Sequence, residues 1–184
     1  MKVKGNIVKA REVFVRERFG DDAWERVLAE LPEADRKVLQ GIVTNSAWFD
    51  FDMAKRLDDA IVSVLGHGRT EVFEEIGRAS AVANLTTVHK RLLAPGNPQE
   101  FMAKADLIYQ FYYDKGRRTY EATGPTSGVM TTHDAETFSQ MDCLTVIGWY
   151  KQALEMCGAK NIMVSEETCR ALGGSVCRYV FSWS

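Results

Sequence analysis

Residues 118–133 read RTYEATGPTSGVMTTH. Residues 118–123 and 128–133 each carry the β-branched and aromatic content of a short strand, and Gly124-Pro125 between them marks a turn. Everything before this stretch has helical spacing. After it the chain returns once to helix and then to strands. The plan is therefore helices first, then β-β-α-β-β, which predicts an α+β fold with a small antiparallel sheet.

Working outward toward the C-terminus, residues 135–157 place Phe138, Met141, Leu144, Ile147, Tyr150 and Leu154 at helical spacing, and Gly158 stops that helix. Residues 161–166 read as a short strand and residues 176–183 alternate as a final one. Toward the N-terminus, residues 8–19 predict a helix. Asp21 or Asp22 caps a second one carrying Trp24, Val27, Leu28 and Leu31, and Pro32 stops it. A further turn or two is expected over 33–43. Asn45 and Ser46 break the pattern ahead of Trp48, and residues 52–65 form an amphipathic helix ended by Gly66-His67-Gly68. Residues 70–93 predict one long helix. Pro95-Gly96-Asn97-Pro98 is a loop, and residues 98–114 form a helix with an aromatic face of Phe101, Tyr109, Phe111 and Tyr112.

The chain has 184 residues, which fits a single domain over 1–184 with 1–65 as a helical N-terminal extension. Apolar residues make up 46% and charged residues 26%, so a core forms without disulfide staples. The formal net charge is −2, which supplies no basic face for nucleic acid. No apolar run is long enough to span a membrane, and the charged start contains no signal-peptide core. A cytoplasmic protein with reduced thiols is expected.

The cysteines are clustered. Cys143, Cys157, Cys169 and Cys177 all lie in the last quarter of the chain. Gly173-Gly174 lets the segment between Cys169 and Cys177 turn sharply, with Glu166 close by. Three thiolates and a carboxylate can close a tetrahedral site, for which zinc is the suitable ion. The plainer reading is small buried cysteines and a surface glutamate.

The segments VIGWYKQALEMCG (146–158) and EETCRALGGSVCRY (166–179) resemble the C-terminal half of 4-vinyl reductase-type domains. They are also similar to the sensor domains of phenol- and xylene-responsive activators. EVFEEIGRAS (71–80) resembles the glycine-containing helix that opens such domains, and the N-terminal part resembles an uncharacterised myxobacterial family. In the sensors a structural zinc is held by Cys, Glu, Cys and Cys. The successive intervals Cys143 to Glu166, Glu166 to Cys169 and Cys169 to Cys177 are 23, 3 and 8 residues, which match. The resemblance therefore implies structural zinc on Cys143, Glu166, Cys169 and Cys177. It also implies a pocket for a small apolar or aromatic molecule, with Phe101, Tyr109, Tyr112, Trp149 and His89 as candidate lining. Homodimerisation through the N-terminal helices and a signalling protein partner follow from the same likeness. The histidine and tryptophan that hold the phenolic group in the sensors have no counterpart at matching intervals, so phenol specificity does not carry over.

No catalytic motif is present: there is no G-x-S-x-G, H-E-x-x-H or phosphate-binding glycine loop. A sensor module is the leading expectation. The alternatives are an enzyme or accessory protein handling a tetrapyrrole-like ligand, and a pure interaction scaffold with a filled interior. Pocket volume discriminates between them. The basic pairs Lys55-Arg56, Lys90-Arg91 and Arg117-Arg118 read as solvated charges, as does His67 between its glycines.

Overall fold

The computed structural model describes residues 1–66 and 68–184, so His67 lies outside the described residues. Strand β1 (Lys2–Lys4) leads into helix α1 (Gly5–Phe19), and Gly20 at φ +88° turns the chain into α2 (Asp21–Ala29). After α3 (Glu33–Gln40), strand β2 (Trp48–Asp50) pairs antiparallel with β1, a pairing the sequence did not announce. Asp50 then caps α4 (Phe51–Ile61) by accepting from the Asp52 amide, and α4 runs into a π-helical turn over Val62–Gly66.

Helix α5 (Val72–Leu85) is shorter than the spacing predicts. The hydroxyls of Thr86 and Thr87 donate to the carbonyls of Val82 (2.7 Å) and Ala83 (2.6 Å), and the chain leaves the helix there. The expected helix over 98–114 is also divided, into α6 (Pro98–Met102), capped by Asn97, and α7 (Ala105–Tyr112). The remaining elements are β3 (Arg117–Gly124), β4 (Ser127–His133), α8 (Gln140–Met156), β5 (Met163–Thr168) and β6 (Cys177–Ser182). The four strands form an antiparallel sheet in the order β3-β4-β6-β5. The α+β class and the β-β-α-β-β second half are as the sequence predicts. Among the described residues no helix is long and apolar enough to cross a membrane.

Helix α8 packs between the sheet and α5. Gly77 and Gly148 set that crossing. A Cβ at Gly77 would collide with the Thr145 carbonyl, and one at Gly148 would collide with the Glu74 carbonyl. The two backbones therefore touch, and ion pairs of Glu74 with Lys151 (2.8 Å) and of Arg78 with Glu155 (3.0 Å) flank the contact. On the other side of α8, Tyr150 meets Phe181 of β6 edge-on. Trp24, Leu28, Phe14 and Leu57 from the first 65 residues belong to the same hydrophobic cluster as Tyr150 and Phe181.

Because each glycine faces backbone, which cannot rotate away, Gly148→Ala and Gly77→Ala are each expected to lose about 3 kcal/mol of stability. Urea denaturation measures this; a loss within experimental error at both positions would contradict the close crossing.

Candidate functional site

Period-2 alternation turns one face of the sheet inward. Arg118, Thr132 and Cys177 pair in one row across β3, β4 and β6, and Tyr120, Met130 and Tyr179 form the next. This register places the Arg118 guanidinium inside the protein, where the basic pair Arg117-Arg118 was expected to be solvated. Arg118 is 4% exposed. Its Nε donates to Thr132 Oγ1 at 3.0 Å, and its guanidinium lies 4.9 Å from the Tyr109 ring centre and 5.7 Å from that of Tyr150. Among the described residues no carboxylate forms an ion pair with it. Burial opposes its charge, but the surrounding tyrosines hold the guanidinium protonated and the net direction is upward.

A second buried arginine is fully partnered. Arg11 of α1 grips Asp58 of α4 through two bonds, of 3.0 and 3.2 Å, and also donates to the Ile7 carbonyl and to Thr145 Oγ1 of α8. Burial pushes the Asp58 carboxyl up to about 6, with Arg11 pulling it back. Nearby, the Tyr113 hydroxyl donates into the Asp142 carboxylate, 2.9 and 3.0 Å from its two oxygens.

These groups surround a cavity of about 40 Å³ where α1, α5, α7, α8 and β3 meet. Arg11, Arg118, Asp142, Tyr112, Trp149 and Tyr150 are among its lining residues. Among the described residues, three buried polar atoms of that lining have no hydrogen-bond partner within 3.5 Å: the Tyr112 hydroxyl, the Trp149 indole nitrogen and the Tyr150 hydroxyl. Burial raises both phenols, so they stay neutral. A smaller cavity of about 20 Å³ lies toward Cys143 and Cys177.

The residues singled out as pocket lining separate into three positions. Tyr112 and Trp149 line the 40 Å³ cavity. Phe101 stacks on Trp149 behind it, with ring centres 6.1 Å apart, and Tyr109 lies under Arg118 with its hydroxyl donating to the Lys115 carbonyl. His89 lies outside both cavities, stacked on Phe111. The sequence reading missed Arg118, Arg11, Asp58 and Tyr150 as site residues. Only the position of Arg118 in a strand flanked by turn residues hinted that its side chain alternates inward.

The metal-site residues do converge. Cys143 of α8, Glu166 of β5, and Cys169 and Cys177 of the β5–β6 hairpin bring one ligand atom each within 4.8 Å of one another, a spacing able to surround one ion. Cys143 Sγ lies 3.6 Å from Cys177 and 3.7 Å from Cys169. Hydrogen bonding from Cys143 draws the Cys169 thiol down to about 6 and the Cys177 thiol down to about 7, while the Cys143 thiol is pushed far up. Cys157 is buried separately at the end of α8.

No family model matches the sequence, and no curated protein matches it significantly. Solved structures do match. The H-NOX protein from K. algicida in its Fe(II) unliganded form superposes with a TM-score of 0.74 at 11% identity, covering 98% of this chain and 96% of that one. The H-NOX protein from S. oneidensis in its Fe(II)NO ligation state gives 0.73 at 15%, covering 98% and 99%. A structure describing haem redox potential modulated by porphyrin distortion gives 0.71 at 16%, covering 97% and 99%. The fold is the H-NOX fold.

This corrects the likeness to 4-vinyl reductase-type domains. The motifs that carried it describe one helix and one hairpin, α8 with β5–β6, and do not fix what encloses them. The structural zinc implied by that likeness is corrected with it, because the proteins sharing the fold are described by iron and haem. What stands is the geometry of three thiols and a carboxyl.

Haem does not fit the residues present here. Ligand pockets of that class take about 300–1,000 Å³, against the 40 and 20 Å³ of the two core cavities. Of the described histidines, His89 stacks on Phe111, and His133 shares a hydrogen bond with Thr119; neither lines a core cavity. Tyr109, whose ring centre lies 4.9 Å from the Arg118 guanidinium, is neutral and bonded to a backbone carbonyl.

The Arg11–Asp58 pair yields a pH prediction. The folded pKa of Asp58 exceeds its model-peptide value of 3.8, so its contribution to stability is full below that value and is lost as pH rises through about 6. Arg11→Met removes the pull downward, so the folded pKa rises further and the loss extends to higher pH. At neutral pH Arg11→Met is expected to lose about 3–5 kcal/mol, and Arg11→Met with Asp58→Leu to recover part of it. Chemical denaturation from about pH 4 to about pH 8 measures both; equal pH profiles for wild type and Arg11→Met would contradict the assignment.

Proposed function

We propose that this chain is a small-molecule-binding sensor module that uses the H-NOX fold without a haem. The observation that carries the reading is the group of three unpartnered polar atoms, on Tyr112, Trp149 and Tyr150, around one cavity. A buried donor without a partner costs about 1–3 kcal/mol, and three at one place are expected where a ligand or ordered water completes them. The volume disfavours the aromatic ligand expected from the sequence, since benzene takes a cavity of roughly 150 Å³. A tetrapyrrole-like ligand is disfavoured on the same ground.

The small volume favours a second reading, an interaction scaffold with its interior filled by side chains. The three orphan polar atoms argue against it, because a filled scaffold would place apolar groups there. In the sensor reading the Cys143, Glu166, Cys169 and Cys177 cluster serves as a clasp between α8 and the β5–β6 hairpin. Pairing of two copies through the N-terminal helices would use exposed side chains such as Val13 and Phe19, and sedimentation velocity tests it. A signalling protein partner remains part of this reading.

Titration of the purified protein with haemin separates the haem-free reading from its alternative. The expected result is no saturable Soret shift and no rise in melting temperature. One haem per chain, with a defined Soret band and a stability gain, would overturn it.

A further inference from the structure

We infer that the cavity between α1, α5, α7, α8 and β3 is a binding site for a small oxyanion of formate or nitrite size, with Arg118 as its cationic anchor. The inference rests on the small-molecule reading above and names the chemistry of its ligand.

Four observations carry it. First, Arg118 is a buried cation with no carboxylate within 4.0 Å among the described residues, Asp142 acting on it only from farther off, whereas Arg11, at the same cavity, is paired with Asp58. Among the described residues the hydrogen bond of its side chain within 3.5 Å is that of Arg118 Nε to Thr132, and the guanidinium also acts on the Tyr150 phenol beside it. Second, the unsatisfied groups around the cavity are donors or can act as donors. The Trp149 indole, 7% exposed, can only donate, and the hydroxyls of Tyr112 (8%) and Tyr150 (1%) are free to do so. A set of this kind calls for an acceptor-rich guest. Third, about 40 Å³ admits roughly two or three heavy atoms, which excludes ring compounds and fits a small planar anion. Fourth, Ser80 lines both this cavity and a surface groove of about 300 Å³ between α1 and α5, so the groove approaches the cavity from the solvent side.

Asp142 also lines the cavity and is the carboxyl that opposes an anion. The Tyr113 hydroxyl donates to it, 2.9 and 3.0 Å from its two oxygens. The donors therefore outnumber the acceptors facing the space, and a delocalised anion on Arg118 with its edge toward Trp149 and Tyr112 satisfies them together.

Isothermal titration with formate and with nitrite, against sodium chloride and the neutral isostere formamide, tests the inference. Arg118→Met, Tyr112→Phe and the outward-facing control Arg117→Met complete the set. Saturable binding of formate or nitrite is expected in wild type and Arg117→Met, weakened at least tenfold in Arg118→Met and several-fold in Tyr112→Phe. Tyr112→Phe removes a single hydroxyl, so it reports even where loss of Arg118 impairs folding. Formamide binding as tightly as formate would overturn the anion assignment while leaving the small-molecule reading intact. Anion binding unchanged in both Arg118→Met and Tyr112→Phe would place it elsewhere on the protein and overturn the site. No binding of any titrant would overturn the site and the small-molecule reading together.

Discussion

The contact on which the rest of the structure depends is the backbone crossing of α5 on α8. Gly77 and Gly148 are each other's clearance: each lies against a carbonyl of the opposite helix, of Thr145 and Glu74 respectively. Helices whose side chains interlock normally sit about 8–10 Å apart, and two glycines allow a closer approach. That approach fixes the rotation of α8 about its own axis. Trp149 and Tyr150 follow Gly148 directly, so fixing the glycine fixes where both rings point. Thr145, whose carbonyl meets Gly77, is also the residue whose hydroxyl receives Arg11. A helix-packing constraint thus sets the polar geometry of the interior.

Once α8 is held in this way, the space between it and the sheet is filled mainly by aromatic rings. Phe101, Trp149, Tyr150 and Phe181 form a chain of stacked and edge-on contacts. Rings of that size fill volume efficiently but bring phenol and indole groups into the core, and each needs a partner. Tyr109 and Tyr113 find theirs on the Lys115 carbonyl and Asp142. Tyr112, Trp149 and Tyr150 do not, and all three face the same gap. The two buried arginines show the same contrast. Arg11 reaches a carboxylate because α4 passes beside α1, while Arg118 enters from the sheet, where its Nε finds the Thr132 hydroxyl of β4.

The class and much of the order of elements were legible from period alone. The switch from helical to alternating spacing at residues 118–133 located the sheet, and Asn97 with Pro98 located a helix start. The ends of α5 and the division of α6 from α7 were not legible, because hydroxyl groups at Thr86 and Thr87 decide the first and neither apolar spacing nor proline marks the second. The convergence of Cys143, Glu166, Cys169 and Cys177 was readable because a glycine-rich hairpin leaves few ways to place its thiols. Arg118 was unreadable for the opposite reason. A charge next to another charge reads as solvated unless strand register is known, and register depends on partners in β4 and β6 that lie elsewhere in the chain. A local motif also misdirected the assignment of family, since a helix and a hairpin can be matched without constraining the layer that covers them.

A shared fold transfers less than it suggests. The chain superposes on H-NOX proteins over nearly its whole length, yet at 11–16% identity nearly every interior side chain is free to differ. Function resides in those side chains rather than in the path of the backbone. A scaffold that encloses a large planar cofactor must leave several hundred cubic ångströms unfilled and supply an axial ligand. In this chain Trp149, Tyr150 and Arg118 line an interior space of about 40 Å³. An interior filled with apolar residues alone would carry no uncompensated polar group. Here the Arg118 cation and three polar atoms without partners among the described residues lie beside a space too small for a ring compound, and in the proposed reading a small polar guest is what compensates them.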